Sequence, residues 1–117
     1  MHSVVLPNSI TMIDDGAFID CKNLGEINIP PQVTKLSNGV LLDCVSLRTL
    51  ALHDAVTEIE CEALAVCENL EKIYLTDSVV KIGDDAFKCC DAVVIHAPRG
   101  SYAETYAKEN NIKFSAE

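Results

Sequence analysis

With 117 residues, 49% of them hydrophobic, the chain is long enough to bury one core and gives no reason to divide into two. Eighteen acids against nine bases leave a formal charge of -9, and no run of lysine or arginine interrupts the surplus, which argues against nucleic acid or an anionic membrane as partner. No stretch of about 18 apolar residues is present to cross a bilayer, and Met1-His2-Ser3 lacks the basic, then apolar pattern of a secretion signal.

The chain enters in mid-pattern. Val4, Leu6 and Pro7 read as a strand and its turn, and Ile10, Ile13, Ala17 and Phe18 complete a first coil. From there Phe18-Ile19-Asp20-Cys21 is echoed by Leu41-Leu42-Asp43-Cys44, Leu64-Ala65-Val66-Cys67 and Phe87-Lys88-Cys89-Cys90 at a constant spacing of 23 residues. A period that strict predicts a solenoid. After each cysteine come Leu24, Leu47 and Leu70, then Ile27, Leu50 and Ile73, then Ile29, Leu52 and Leu75, of which the last two columns alternate as a strand does. Turn formers follow at Pro30-Pro31, His53-Asp54 and Thr76-Asp77. A second short alternation, Val33 to Leu36, Val56 to Ile59 and Val79 to Ile82, has the β-branched bias of extended chain. Each unit closes on a polar corner such as Gly83-Asp84-Asp85, and Ala86 to Cys90 fits one face of a single helical turn.

Ala92 to Pro98 repeats the strand and its proline after losing one residue, which makes five strands side by side. Ser101-Tyr102-Ala103-Glu104 then reads as a capping box, and Tyr102, Ala103, Tyr106 and Ala107 form an apolar stripe at helical spacing. The helix is expected to stop at Asn110-Asn111, with Ile112-Lys113-Phe114 adding an extended segment. Residues 1–98 thus form about four repeats, the first incomplete, and residues 99–117 the C-terminal cap that a terminal repeat needs. No equivalent lid is expected over the first coil.

Cys21, Cys44, Cys67 and Cys90 share one column, so their side chains are expected in single file through the core as reduced, structural thiols. Neighbours in such a file sit roughly 4.8 Å apart, but their parallel Cβ vectors would have to twist together to form a disulfide. Nor does a file converge on one tetrahedral point for zinc. Cys61 and Cys89 fall elsewhere in the unit, and the acids at the corners lack the spacing of a calcium loop. No metal, cofactor or catalytic set is expected, and the chain reads as no enzyme.

By this point the residues resemble a family. Leu70 to Cys90, read as strand, Asp77-Ser78-Val79, Ile82-Gly83, Ala86-Phe87 and Cys90, resembles the BspA-like class of bacterial leucine-rich repeats, and Ile29-Pro30 and Pro7-Asn8-Ser9-Ile10-Thr11 match it too. Ile95 to Glu104 looks like the tail that closes such arrays. Val40-Leu41 in place of Ala-Phe, and Glu60-Cys61-Glu62 where Ile-Gly is expected, depart from the pattern; they loosen those corners without threatening the fold. The resemblance implies a strand-rich α/β leucine-rich-repeat fold, a right-handed solenoid of 23-residue repeats with a C-terminal capping helix. It also implies a surface-exposed or secreted bacterial protein used for adhesion or protein binding.

The outward strand residues line up in rows, Val5, Asn28, Ala51, Tyr74 and His96 in one, and Ser3, Glu26, Thr49, Lys72 and Val94 in the other. From these Glu26, Asn28, Thr49, Lys72, Tyr74 and His96 are the candidate contacts for a protein or other macromolecular ligand, with Tyr74 as anchor because aromatic residues supply much interface energy. An ordinary solvated sheet face is the alternative. Thr11, Thr34, Thr57 and Val80 form an outer row on the second strands, and Ile19, Leu42 and Ala65 an outward column at the corners. The uncovered first coil offers Val4, Leu6, Ile10, Ile13 and Phe18 as a self-association edge, and a homodimer is expected there if the chain is complete; truncation from a longer array is the competing explanation.

Overall fold

Every unit of 23 residues closes one coil of a parallel solenoid in the computed structural model, which describes residues 2–117. In chain order the strands are β1 (His2–Val4), β2 (Leu24–Ile27), β3 (Lys35–Leu36), β4 (Thr49–Ala51), β5 (Glu58–Ile59), β6 (Lys72–Tyr74), β7 (Lys81–Ile82) and β8 (Val94–Ala97). The helix α1 (Tyr102–Glu109) and a last strand, β9 (Lys113–Ala116), follow.

The apolar columns meet inside. Leu24, Leu47, Leu70 and Val93 stack along one line, Ile27, Leu50, Ile73 and Ile95 along the next, and Leu36, Ile59 and Ile82 face them from the second strands, all buried. Each such aliphatic side chain contributes roughly 1.5–3 kcal/mol when fully withdrawn from water. Since neighbouring coils repeat the same residue type in each column, every coil's core surface is completed by the next.

The expected row of five strands is interrupted. β1 pairs only with β2, β3-β5-β7 form the sheet on the second side, and β4-β6-β8-β9 form a four-stranded sheet. Glycine inside a strand weakens it, and β2 carries Gly25 in the column that Arg48 and Glu71 hold in the following coils. There Arg48 contributes its carbonyl to the N–H groups of Glu71 and Lys72 at 2.8 and 3.2 Å.

The corners are not helical turns. At each one, alternate N–H groups bond back three residues within the turn, as Val40 to Ser37, Leu42 to Gly39 and Cys44 to Leu41. The intervening N–H groups leave for the next coil. Those of Gly16, Phe18 and Asp20 donate to the carbonyls of Asn38, Val40 and Leu42 at 2.9, 3.0 and 2.8 Å. Gly39, Leu41 and Asp43 donate likewise to Cys61, Ala63 and Ala65, and Glu62, Leu64 and Val66 to Asp84, Ala86 and Lys88. This alternation needs two left-handed residues per corner. They are Gly16, Gly39, Glu62 and Asp85 in one column, and Asp20, Asp43, Val66 and Cys89 in the other, all with φ between 58° and 66°. A right-handed helical turn has no such residue, which is why one apolar face at helical spacing misreads the segment.

The outward corner column also changes along the stack. Ile19 is 47% exposed, Leu42 is half-buried and Ala65 is only 1% exposed. A methyl flanked in its column by the longer Leu42 and Lys88 is covered where an isoleucine protrudes.

Beyond β8, Ser101 caps α1, its Oγ accepting from the Glu104 N–H at 3.3 Å, while Glu104 Oε1 accepts from the Gly100 N–H at 2.7 Å. Ala103 and Ala107 are buried against the last coil, and the Tyr106 ring lies 6.1 Å from that of Phe87. The helix ends at Asn110, Asn111 takes a left-handed conformation, and β9 adds beside β8 in parallel, one residue later than the sequence suggested.

Candidate functional site

The outward face of the sheet β4-β6-β8-β9 carries the best-defined constellation of polar and aromatic side chains. Strand register puts Thr49 beside Lys72 and Val94, and Ala51 beside Tyr74, His96 and Ser115. Side chains two apart on one strand share a face, so both rows point the same way. The rings of Tyr74 and His96 stack with centroids 4.7 Å apart and planes inclined by 28°. Pairs of this geometry contribute about 0.5–1.5 kcal/mol beyond the area they bury.

His96 is held from its other side as well. The Glu117 N–H donates to the Ala97 carbonyl at 2.9 Å, which brings the Glu117 carboxylate within 3.4 Å of His96 Nδ1. The imidazole is thereby left only 15% exposed, and its buried Nε2 has no partner among the described residues. Tyr74 stays half-open, and Lys72 and Thr49 are exposed. Arg48 and Glu71 pair at 3.0 Å on the rim, whereas Lys72 makes no ion pair among the described residues.

Two of the six candidate contacts stand apart. Glu26 is exposed on β2, outside the four-stranded sheet. Asn28 is already engaged: its Oδ1 accepts from the Leu6 N–H at 2.6 Å and its Nδ2 donates to the Leu6 carbonyl at 3.0 Å. That bidentate pair ties the first coil to the second. Thr49, Lys72, Tyr74 and His96 are brought together, and Ser115 and Glu117 join them without having been anticipated. The alternation of Lys113, Phe114, Ser115 and Ala116 is the one trace of β9 in the sequence.

At the other end, Val4, Leu6, Ile10 and Phe18 are half-buried against the core, and Ile13 is buried at 7% exposure. Val5 and Met12 beside them are 85% and 63% exposed. Asp20, Asp43 and Lys22 meet at the adjoining corner. Lys22 Nζ lies 2.9 Å from Asp43 and holds its carboxyl below the usual range, while the hydrogen bond that protonated Asp20 donates to the Asp43 carboxylate raises the carboxyl of Asp20.

The file of cysteines runs through the corner side of the core as free thiols. Cys44, Cys67 and Cys90 are buried and each donates to a carbonyl of the preceding coil, Phe18, Leu41 and Leu64 respectively, at 3.0–3.2 Å. Burial pushes the Cys44 thiol up to about 11, and the neighbouring Cys90 thiol, with burial, pushes Cys67 up further. The Cys44 and Cys67 thiols are therefore poor nucleophiles at neutral pH, whereas the hydrogen bond with Cys67 lowers that of Cys90. Cys61 and Cys89 are exposed. Among the described residues no three or more His, Cys, Asp or Glu side chains converge on a metal position, and no helix is long and apolar enough to cross a membrane.

The family described as the BspA type leucine-rich repeat region matches residues 1–113, in 6 copies. Among solved structures, a leucine-rich cell surface protein from Faecalibacterium prausnitzii superposes with a TM-score of 0.75 at 26% identity, over 98% of this chain and 35% of that one. A leucine-rich repeat protein from Bacteroides ovatus gives a TM-score of 0.82 at 24% identity, over 98% of this chain and 30% of its own length. A leucine-rich repeat protein of T. pallidum gives 0.67 at 24% identity, over 80% of this chain and 57% of that one. The last two speak to the fold alone, and the chain spans only part of the length of all three. No curated protein matches the chain.

Proposed function

The chain belongs to the BspA-type leucine-rich-repeat family, and from that premise we infer that it is a non-catalytic protein-binding module of a bacterial surface or secreted protein. The observation that carries the reading is the Tyr74–His96 stack on the outward sheet face, beside Lys72, which pairs with no carboxylate among the described residues. A rigid aromatic pair offers contact area at little conformational cost, and truncating such an anchor typically costs on the order of 2 kcal/mol of binding or more. The description of the Faecalibacterium relative as a cell surface protein supports the location. Adhesion is one use of such a surface. We take residues 1–98 as the repeats and 99–117 as their closing cap.

The test is a binding screen of the chain against purified extracellular proteins, followed by Tyr74→Ala and, on the opposite face, Thr57→Ala. Binding that falls at least tenfold with the first and holds with the second supports the sheet face. Equal effects of the two would discard it.

A second reading has its own observation. Val4, Leu6, Ile10 and Phe18 are only half covered by the second coil, with Val5 and Met12 open beside them. Self-association through this edge predicts a dimer in light scattering that Ile10→Lys dissolves, and a monomer at every concentration removes it.

A further inference from the structure

The corner ladder ends with donors that have no acceptor. In the first three corners the N–H groups at alternate positions donate to carbonyls of the next coil. In the fourth the equivalent donors are Asp85, Phe87 and Cys89, and among the described residues none of the three bonds to anything. Phe87 is buried, and a backbone donor left unpaired away from water is unfavourable, whereas Asp85 and Cys89 are exposed and their donors face the solvent side of the groove. The C-terminal segment satisfies the neighbouring edge but not this one. On the second strands, the Ile82 N–H finds the Tyr102 hydroxyl at 3.3 Å, so α1 stands in for the missing coil there. Over the corner it leaves a groove of about 360 Å³, lined by Asp85, Phe87 and Cys89 on one side and by Tyr106, Asn110 and Lys113 on the other.

We propose that this groove is a second binding site, taken by a segment of a partner protein that coils as the interior corners do and so presents backbone carbonyls on every second residue. The chain itself carries the template three times over. Each interior corner receives a neighbouring segment whose carbonyls, two residues apart, accept from N–H groups also two residues apart. Donors spaced in this way address three separate acceptors along a chain, unlike consecutive N–H groups that close around a single anion. Lys88 and Lys113 oppose Asp85 and Asp91 at the groove, so charge selects little and the backbone dominates. This is strand addition transposed to a turn ladder.

A second copy of the chain is the less suitable occupant. Its first corner does offer free carbonyls at Asp15, Ala17 and Ile19 among the described residues. A whole coil, however, would also need the path beside β7 that α1 fills. The groove volume sits at the small end of ligand sites, which suits a few residues rather than a coil.

The probe is a synthetic peptide with the sequence of residues 36–45 and Cys44→Ser, which in the chain presents the Asn38, Val40 and Leu42 carbonyls to the preceding corner. Amide signals are followed by nitrogen-15 NMR. In the free chain the amides of Asp85, Phe87 and Cys89 exchange faster than those of Glu62, Leu64 and Val66, one coil earlier. Millimolar peptide shifts the three and slows their exchange about tenfold, leaving the interior set unchanged. A bulky maleimide on Cys89, in a Cys61→Ser background, abolishes the effect, while the same label on Cys61, in a Cys89→Ser background, does not.

Equal protection of the two sets in the free chain would overturn the proposal. So would silence at millimolar peptide, a response that survives the Cys89 label, or the same response to inorganic phosphate alone.

Discussion

The thiol of Cys67 donates to the carbonyl oxygen of Leu41, 3.2 Å away and 26 residues earlier in the chain. Cys44 and Cys90 make the same bond one coil to either side. The column therefore needs a small, apolar side chain that also carries a donor, and cysteine combines the two. Cys67→Ala removes the donor and leaves a small void, an expected loss of about 1–2 kcal/mol in urea unfolding. Cys67→Ser keeps a donor and is expected to lose less. Equal losses would assign the column to packing alone.

Asn28 joins the first two coils through both polar atoms of its amide, each bonded to Leu6. Asn28→Asp keeps an acceptor for the Leu6 N–H but sets a carboxylate oxygen against the Leu6 carbonyl. The expected loss is about 1–3 kcal/mol, concentrated in the first coil. Hydrogen exchange checks it: amides of residues 4–21 lose protection while those of residues 60–97 keep theirs. Uniform loss would mean that the coils unfold as one unit and that Asn28 has no local role.

Val66 holds a left-handed backbone at φ 59°, in the column where the first two coils have aspartate. A β-branched side chain is the least suited to that conformation, which for an L-residue costs roughly 1–2 kcal/mol. Val66→Asn is therefore expected to raise the thermal midpoint, and Gly39→Ala, at φ 59° in the other column, to lower it. Scanning calorimetry of the two variants tests both signs.

Glu104 accepts from the Gly100 N–H and lies 3.1 Å from Lys108 Nζ, and these partners hold its carboxyl below the usual value. A depressed carboxyl stabilises the fold above its ordinary pKa, and the contribution disappears as pH falls through the lowered one. Relative to Glu104→Gln, the parent chain should melt higher at neutral pH and lose that advantage in acid. A difference that persists well below the carboxyl range would show that the charge is not its origin.

Much of this architecture was legible because a solenoid repeats its core in one dimension. Leu24, Leu47 and Leu70 can recur at a fixed interval only if each coil places them identically, so the period alone implies coils, buried columns and an apolar file of cysteines. The capping box at Ser101 was equally local, since its donors and acceptors lie within four residues of each other. The corners were harder. Ala86 to Cys90 has the apolar spacing of a helical turn, and only Gly16 and Gly39, with Asp20 and Asp43 four residues on, hinted at paired left-handed positions. Hydrogen bonds to the next coil decide that backbone, and they lie outside any local window.

The sequence by itself determined the spacing of the coils, the columns that face inward and the rows that face outward, because side-chain alternation and a constant period are properties of the chain alone. Only the tertiary structure decided which outward residues are free to act. Asn28 is occupied by Leu6, His96 is enclosed between Tyr74 and Glu117, the strand row divides between β2 and β4, and among the described residues the last corner keeps three unpaired donors. Each of these outcomes depends on a partner about 20 residues or more away, or on the lack of one, and pairing across coils is settled by packing and hydrogen bonding rather than by residue type.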